Sequence, residues 1–189
     1  MRRTSFHNIF IGLFEKLLCK SNILSNMYIA FFKKTTIDEF SMAQIPEEGR
    51  VLIIGCGSLP HTMIILALEK KWKLTGVDID KDAVNKAKSI VKKYKLKGEI
   101  EIVKEDGLTV DLSGYHLIVI SFDVKPKAKI LERLLKDMDE KTFILYRTTW
   151  ESFEIIYKKD VITKKAATEK TFYRTDFIKS LLLTRSKKQ

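Results

Sequence analysis

One short stretch constrains the fold most. Residues 51–67 read VLIIGCGSLPHTMIILA, in which two apolar runs flank a loop that holds two glycines. This order is typical of a buried strand that leads through a loop into a helix. Gly55 and Gly57 let the backbone approach a ligand closely, and Pro60 suits a first helical turn because N–H groups there lack helical partners. The stretch therefore predicts a ligand-binding loop at the carboxyl edge of a parallel sheet.

Strand and helix patterns alternate along the rest of the chain. Apolar runs predict strands at 51–55, 73–78, 99–104, 116–122 and 142–147, and the late segment DFIKSLLLTRSK predicts one more. Helical periodicity predicts helices at 60–71, 81–95 and 126–138. The alternation indicates an α/β fold with a Rossmann-like, doubly wound, mostly parallel sheet. The length of 189 residues suits a single core.

The first 45 residues are predicted to form a helical N-terminal cap on the same domain, whose ligand-binding part spans residues 46–189. The apolar positions of a first helical stripe are Phe6, Phe10, Phe14 and Leu17. A second amphipathic piece covers Ile23–Phe32. We expect the cap to be a lid over the sheet edge, with Phe31 and Phe32 packed beneath the stripe. The alternative is a helix buried elsewhere on the domain.

Charge and cysteine content narrow the class of protein. The formal net charge is +11, and residues 158–189 hold 10 basic against 3 acidic groups. This basic tail indicates either a solvated lysine-rich surface or a contact for nucleic acid. Cys19 and Cys56 form neither a disulfide framework nor a metal-ligand pattern, which favours the cytoplasm and no bound metal. No apolar run reaches the length of about 18 residues that a membrane span requires, so we expect no membrane association.

Two acidic residues follow predicted strands where a nucleoside would need them. Asp78 ends the second strand, 23 residues after Gly55, which is close to the spacing of a ribose-binding carboxylate. Asp106 ends the third strand and suits the amino group of adenine. The alternative for each is a strand-end or helix-capping role, and Asp80 suits a cap of the next helix. Pro60 stands where a dinucleotide-binding fingerprint has its third glycine, which disfavours a dinucleotide site. No Gly-Lys-Ser/Thr follows the loop, which excludes a P-loop.

These strand-end acids and the late strand resemble the class I S-adenosylmethionine-dependent methyltransferases over roughly residues 50–185. Within that superfamily, GCGSLPHT resembles the Gly-x-Gly-x-Leu-Pro-x-Thr loop of nicotianamine synthases. LYRTTWESFEIIY and FDVKPKAKILERL are similar to two further segments of the same family. The resemblance implies that S-adenosylmethionine is the cofactor. The residues implied to bind it are Gly55, Cys56, Gly57, Ser58, Leu59, Asp78, Ile79, Asp106, Gly107 and Ser121.

Three residues in the matching segments are candidates for catalysis: Asp123, Arg147 and Tyr157. The Arg147 guanidinium suits a clamp on a carboxylate, and its alternative is a surface ion pair. Asp123 suits a base or a substrate-orienting group, and its alternative is a helix cap before Pro126. His61 either faces the substrate or lies on the surface.

The sequence favours methyl transfer to an acceptor that it does not identify. The first alternative is an aminopropyl transfer of the nicotianamine-synthase kind, because S-adenosylmethionine loses either group according to which carbon faces the nucleophile. Nicotianamine synthases carry a larger helical N-terminal domain that supplies catalytic groups, and only about 45 residues precede the sheet here. A second alternative is a non-catalytic subunit that binds the cofactor or RNA. The oligomeric state stays open.

Overall fold

The computed structural model describes residues 22–96, 99–150 and 166–185. The helices are α1 (Asn22–Phe40), α2 (His61–Glu69), α3 (Lys81–Lys93) and α4 (Lys127–Asp137). The strands are β1 (Arg50–Ile54), β2 (Lys73–Asp78), β3 (Ile100–Lys104), β4 (Leu117–Ile120), β5 (Phe143–Thr149), β6 (Ala166–Tyr173) and β7 (Ile178–Arg185). The five internal strands and three helices predicted from the sequence are all present, with ends that agree within two residues.

The seven strands form one sheet in the order β3-β2-β1-β4-β5-β7-β6. Pairing is parallel from β3 through β5, and β7 runs antiparallel to both β5 and β6. The predicted fold class, a Rossmann-like and mostly parallel sheet, is therefore confirmed. The chain moves outward from β1 to β3 and then crosses to β4 on the other side of β1. This reversal creates a crevice at the carboxyl ends of β1 and β4, where such sheets bind ligands.

Apolar layers cover both faces of the sheet. Along β1, Val51 and Ile53 belong to one layer, while Leu52 and Ile54 belong to the other. The first layer packs beneath α1, α2 and α3, and the second packs beneath α4. Because the central parallel strands are buried on both faces, they are continuous apolar runs in the sequence, which explains why they were predictable.

The C-terminal region contains two strands where the sequence predicts one. The strand β6 precedes β7, and the two form an antiparallel hairpin at the edge of the sheet. Most residues of β6 are at least partly exposed, so it lacks the apolar pattern of a buried strand.

The basic-tail interpretation is wrong for residues 166–185, which lie in the sheet. Their four basic side chains contact the protein itself or are buried. Lys170 donates to the carbonyl of Met42, and Arg185 donates to two backbone carbonyls. Arg174 and Lys179 are buried. Nucleic-acid binding stays a prediction that depends on the six remaining lysines of residues 158–189, which lie outside the described residues.

The helix α1 is longer than the predicted amphipathic piece and continues to Phe40. Its buried positions recur every three or four residues and include Ile29, Phe32 and Phe40, and the helix packs against α2. Phe32 is buried and Phe31 is 72% exposed, while the stripe beneath which both were expected to pack lies outside the described residues. Among the described residues, we found no helix that is both long and apolar enough to cross a membrane.

Candidate functional site

A cavity of about 590 Å³ opens at the carboxyl edge of the sheet. The predicted site residues that border it are Gly55, Cys56, Gly57, Leu59, Asp78, Ile79, Asp106, Gly107, Ser121, Asp123 and Arg147. Ser58 belongs to the same loop but does not border the cavity. Tyr157 and the aromatic stripe of the predicted lid lie outside the described residues. The topology thus brings together predicted site residues from five separate segments of the chain.

The loop after β1 requires glycine at two positions. Gly55 has φ of +80° and Gly57 has φ of +68°, a backbone region that other residues rarely adopt. A Cβ atom at Gly55 would lie 2.3 Å from Cγ2 of Val124. The two glycines therefore let the loop turn sharply across the end of β1 and pass close to its neighbours.

The Asp78 carboxylate holds this loop in place. Its Oδ2 accepts a hydrogen bond from the Gly57 N–H at 3.0 Å, and its Oδ1 accepts one from the Asp80 N–H at 3.0 Å. A carboxylate has about four lone-pair positions, so further acceptor capacity is left for a ligand. Asp80 caps α3 by accepting from the Asp82 N–H at 2.8 Å, as the sequence predicts.

The side of the cavity near β3 combines polar and apolar groups. Asp106 accepts one hydrogen bond, from the Leu108 N–H to its Oδ1 at 2.9 Å. A Cβ atom at Gly107 would lie 2.6 Å from Cγ2 of Ile54, so this position must stay small. Ile79 is 68% exposed although it is apolar. An exposed aliphatic side chain beside a carboxylate suits a flat, partly polar ring such as adenine.

The opposite side holds a buried group of charges that we call the Glu39 cluster: Glu39, Arg147, Arg174 and Ser180. Nε and Nη2 of Arg147 each donate to the Glu39 carboxylate at 2.8 Å. Nη1 of Arg174 donates to Oε2 of Glu39, and the Ser180 hydroxyl donates to Oε1. Glu39 and Ser180 are fully buried, and both arginines are nearly so. The surface ion pair considered for Arg147 is therefore wrong, because its ion pair is buried.

Two neighbours extend the Glu39 cluster to the cavity. Nε and Nη2 of Arg174 donate to the half-buried Asp176 carboxylate, at 3.1 and 3.0 Å. Nη1 of Arg147 donates to the Thr62 hydroxyl at 3.3 Å. Arg147, Arg174, Thr62 and Asp176 all border the cavity. The cluster therefore joins α1, β5, β7 and the β6–β7 turn at one end of the site.

Burial and the charges of the cluster set the protonation states of Glu39 and His61. Burial alone would raise the pKa of the Glu39 carboxyl, but the two guanidiniums bring it below its usual value. His61 is not a surface residue, since its ring packs against Tyr28 and Phe32. Burial, followed by the charges of Arg147 and Arg174, lowers the pKa of His61 to about 4. At neutral pH the Glu39 carboxyl of the cluster is therefore ionised, and the His61 imidazole is neutral.

Asp123 is exposed at the cavity and does not cap the following helix. The first residue before α4 is Pro126, and no side chain caps this end. The capping alternative for Asp123 is therefore wrong. Its carboxylate borders the cavity, where it can contact a ligand.

Cys56 is a buried packing residue. Burial and the nearby Asp78 charge raise the pKa of its thiol to about 12, so the thiol stays protonated. Within the described ranges, no three His, Cys, Asp or Glu side chains are grouped in a way that would hold a metal ion.

Trp150 supports the turn that carries Asp176. Its ring makes edge-to-face contacts with Tyr173 and Phe177, and its Nε1 donates to the Ile178 carbonyl at 3.0 Å. The motif residue Trp150 thus has a structural role that the sequence did not specify. Sequence reasoning also missed Glu39, Arg174 and Ser180. A glutamate on the buried stripe of α1 is the one local signal that pointed to the cluster.

Comparison with known proteins identifies relatives of the chain. The family model described as "Nicotianamine synthase protein" matches residues 26–174. An L-histidine 2-aminobutanoyltransferase of Pseudomonas aeruginosa (strain UCBPP-PA14) is 25% identical over 139 residues, which cover 70% of this chain and 52% of the relative. An enzyme of the same description from Yersinia pestis is 25% identical over 118 residues, or 62% of this chain and 44% of the relative. The chain thus spans about half the length of the relatives it matches.

Solved structures share the fold. A glutamate-to-glutamine mutant of MtNAS in complex with S-adenosylmethionine has a TM-score of 0.76 at 17% identity, covering 90% of this chain and 69% of that one. An RNA methyltransferase from Salinibacter ruber in complex with S-adenosyl-L-homocysteine has a TM-score of 0.65 at 16% identity, covering 82% and 93%. These likenesses agree with the predicted fold. Since the family model covers most of the sequence, the chain belongs to the nicotianamine synthase family.

Proposed function

We propose that the chain binds S-adenosylmethionine in this cavity and is a transferase that uses it. The observation that carries this proposal is the glycine loop anchored by Asp78 at the switch point of the sheet. The cavity volume lies in the usual range for small-molecule sites. The free acceptor positions of Asp78 suit the ribose hydroxyls, and Asp106 with Ile79 suits adenine. The residues present therefore fit this cofactor.

We infer that the transferred group is the chain of S-adenosylmethionine that carries its amino and carboxylate groups, in place of the methyl group. This chain is the aminopropyl group considered above, and we call it the aminobutanoyl group after the names of the relatives. The relatives in Pseudomonas and Yersinia are described as 2-aminobutanoyltransferases, and the family is that of nicotianamine synthase. The methyltransferases among the structural neighbours share 16% identity or less, so they support the fold and not the reaction.

The residues of the chain position the reacting groups. When bound, S-adenosylmethionine supplies a sulfonium whose attached carbon accepts a nucleophile while the carbon–sulfur electron pair returns to sulfur. The loop and Asp78 would hold the nucleoside, which would limit the directions from which an acceptor can approach the sulfonium. Asp123, exposed at the cavity, would accept hydrogen bonds from the N–H groups of the acceptor amine and take the proton that the amine loses on transfer. The neutral His61 ring and the Tyr28 and Phe32 rings that pack against it keep water away from the part of the cavity beside α1.

Mass spectrometry of an acceptor tests the proposal. Purified protein would be incubated with S-adenosylmethionine and a mixture of free amino acids that includes L-histidine, the acceptor named for the relatives. We expect an acceptor that gains about 101 Da, and a gain of about 14 Da would show methyl transfer instead. Asp78→Ala is the control that should give neither product. No binding of S-adenosylhomocysteine by calorimetry would contradict the proposal and favour a non-catalytic role.

A further inference from the structure

Arg147 and Arg174 present a rigid pair of guanidiniums to one end of the cavity. Glu39 accepts hydrogen bonds from both, and each residue borders the cavity. A guanidinium has five N–H donors. Within the described residues, each arginine donates through Nε and through one N–H group of each Nη, which leaves two N–H groups on each.

The pair lies on the opposite side of β1 from the nucleoside side of the cavity. Asp106 follows β3, whereas Arg147 lies on β5, and the sheet order places β1 between those strands. Arg147 also donates to Thr62, which follows the glycine loop at the start of α2. A ligand whose ribose lies at Asp78 and whose base lies at Asp106 therefore directs its other end toward the guanidiniums.

The unused hydrogen-bond donors at this end belong to the guanidiniums, while its formal charges balance. The groups facing it are the Arg147 and Arg174 guanidiniums, the buried Glu39 carboxylate that they share, and Asp176. Burial is the largest cause of the lowered pKa of the His61 imidazole, and after it Arg147 and Arg174 each lower this pKa by more than Asp176 raises it. Guanidiniums bind carboxylates through paired hydrogen bonds.

We propose that Arg147 and Arg174, fixed by Glu39, form the subsite for the carboxylate of the aminobutanoyl group of S-adenosylmethionine. This inference rests on the proposed function and adds a specificity element to it. Anchoring the carboxylate at this end fixes the orientation of the aminobutanoyl chain, so its terminal carbon faces the acceptor. Glu39 is then a positioning residue, because it acts through the two arginines.

Calorimetry with two nucleosides tests the subsite without any turnover. S-Adenosylhomocysteine carries the amino and carboxylate groups, and methylthioadenosine lacks both. We expect the wild-type chain to bind S-adenosylhomocysteine about ten- to a hundredfold more tightly. Arg147→Lys, which keeps a positive charge beside Glu39, should remove most of this preference and leave the affinity for methylthioadenosine within about twofold. The charge-balanced double variant Glu39→Gln/Arg174→Gln should do the same.

Arg185→Gln is the matched control, because Arg185 is an arginine of the same hairpin that bonds only backbone carbonyls and does not border the cavity. It should keep the preference of the wild type. Equal affinities for the two nucleosides in the wild type, or an equal loss of both in Arg147→Lys, would overturn the subsite while leaving the cofactor site in place. Failure of both nucleosides to bind the wild type would overturn the proposed function as well.

Discussion

Replacing Glu39 by glutamine tests the structural importance of the Glu39 cluster. Glutamine has nearly the same shape but no charge, and its amide group places donors where Glu39 has an acceptor oxygen. At least two charge-assisted hydrogen bonds are lost, each contributing about 1.5–3 kcal/mol. Two guanidiniums stay buried without their shared counter-ion. Breaking a buried pair in this way costs about 3–5 kcal/mol, and we expect Glu39→Gln to lower the free energy of unfolding by that amount.

Thermal and urea unfolding followed by circular dichroism measure this change. For a chain of this size the loss corresponds to a fall in Tm of about 6–20 °C. The matched control is Asp38→Asn, the adjacent carboxylate of α1, whose ion pair with Lys34 is largely exposed. We expect the control to lose no more than about 0.5 kcal/mol.

The double variant Glu39→Gln/Arg174→Gln separates lost charge balance from lost shape. It removes one charge of each sign, so we expect it to regain about half of the stability that the single variant loses. A loss below about 1 kcal/mol in Glu39→Gln would refute the reasoning, because the Glu39 carboxylate would then contribute little to holding α1 against the hairpin. A double variant that is less stable than the single one would also contradict it.

Four other measurements test parts of the site. Asp78→Ala should weaken S-adenosylhomocysteine binding about ten- to a hundredfold in calorimetry, and unchanged affinity in a folded variant would remove Asp78 from the site. Gly55→Ala should destabilise by about 2–4 kcal/mol in urea, more than Gly114→Ala, whose φ is also positive but whose Cβ would meet only the flexible end of Arg50. The folded-state pKa of His61 lies below that of the unfolded chain, so stability should fall by up to about 3 kcal/mol as the pH drops from about 6.5 to about 4, and His61→Gln should reduce this loss. If the N-terminal cap is a lid, S-adenosylhomocysteine should slow amide exchange across residues 6–32, and protection limited to the glycine loop and the Asp78 and Asp106 strand ends would contradict the lid.

The cofactor side of the site was predictable because its signals are local. Gly55 and Gly57 lie in the loop that follows the apolar strand β1, Asp78 is the last residue of β2, and the carboxyl ends of parallel strands meet at one edge. Asp80 was predictable as a cap for the same reason, since it precedes a helical pattern.

The Glu39 cluster was not predictable from local patterns. Glu39 contacts residues that are 108, 135 and 141 positions away, and no periodicity relates such positions. The strand β6 also escaped prediction, since an exposed edge strand lacks the apolar alternation of a buried one. Without β6, nothing in the sequence indicated the turn between β6 and β7, so Arg174 looked like a solvated charge of a tail. The hairpin places Arg174 in the interior.

The nucleoside released during turnover tests the central claim most directly, because it depends on the transferred group and not on the acceptor. Loss of the aminobutanoyl group from S-adenosylmethionine leaves methylthioadenosine, and loss of the methyl group leaves S-adenosylhomocysteine. Chromatography with mass detection would follow both in the presence of an amino-acid mixture, with Asp78→Ala correcting for spontaneous breakdown. We predict that methylthioadenosine accumulates faster with the wild-type chain than with this variant. Accumulation of S-adenosylhomocysteine instead would contradict the account.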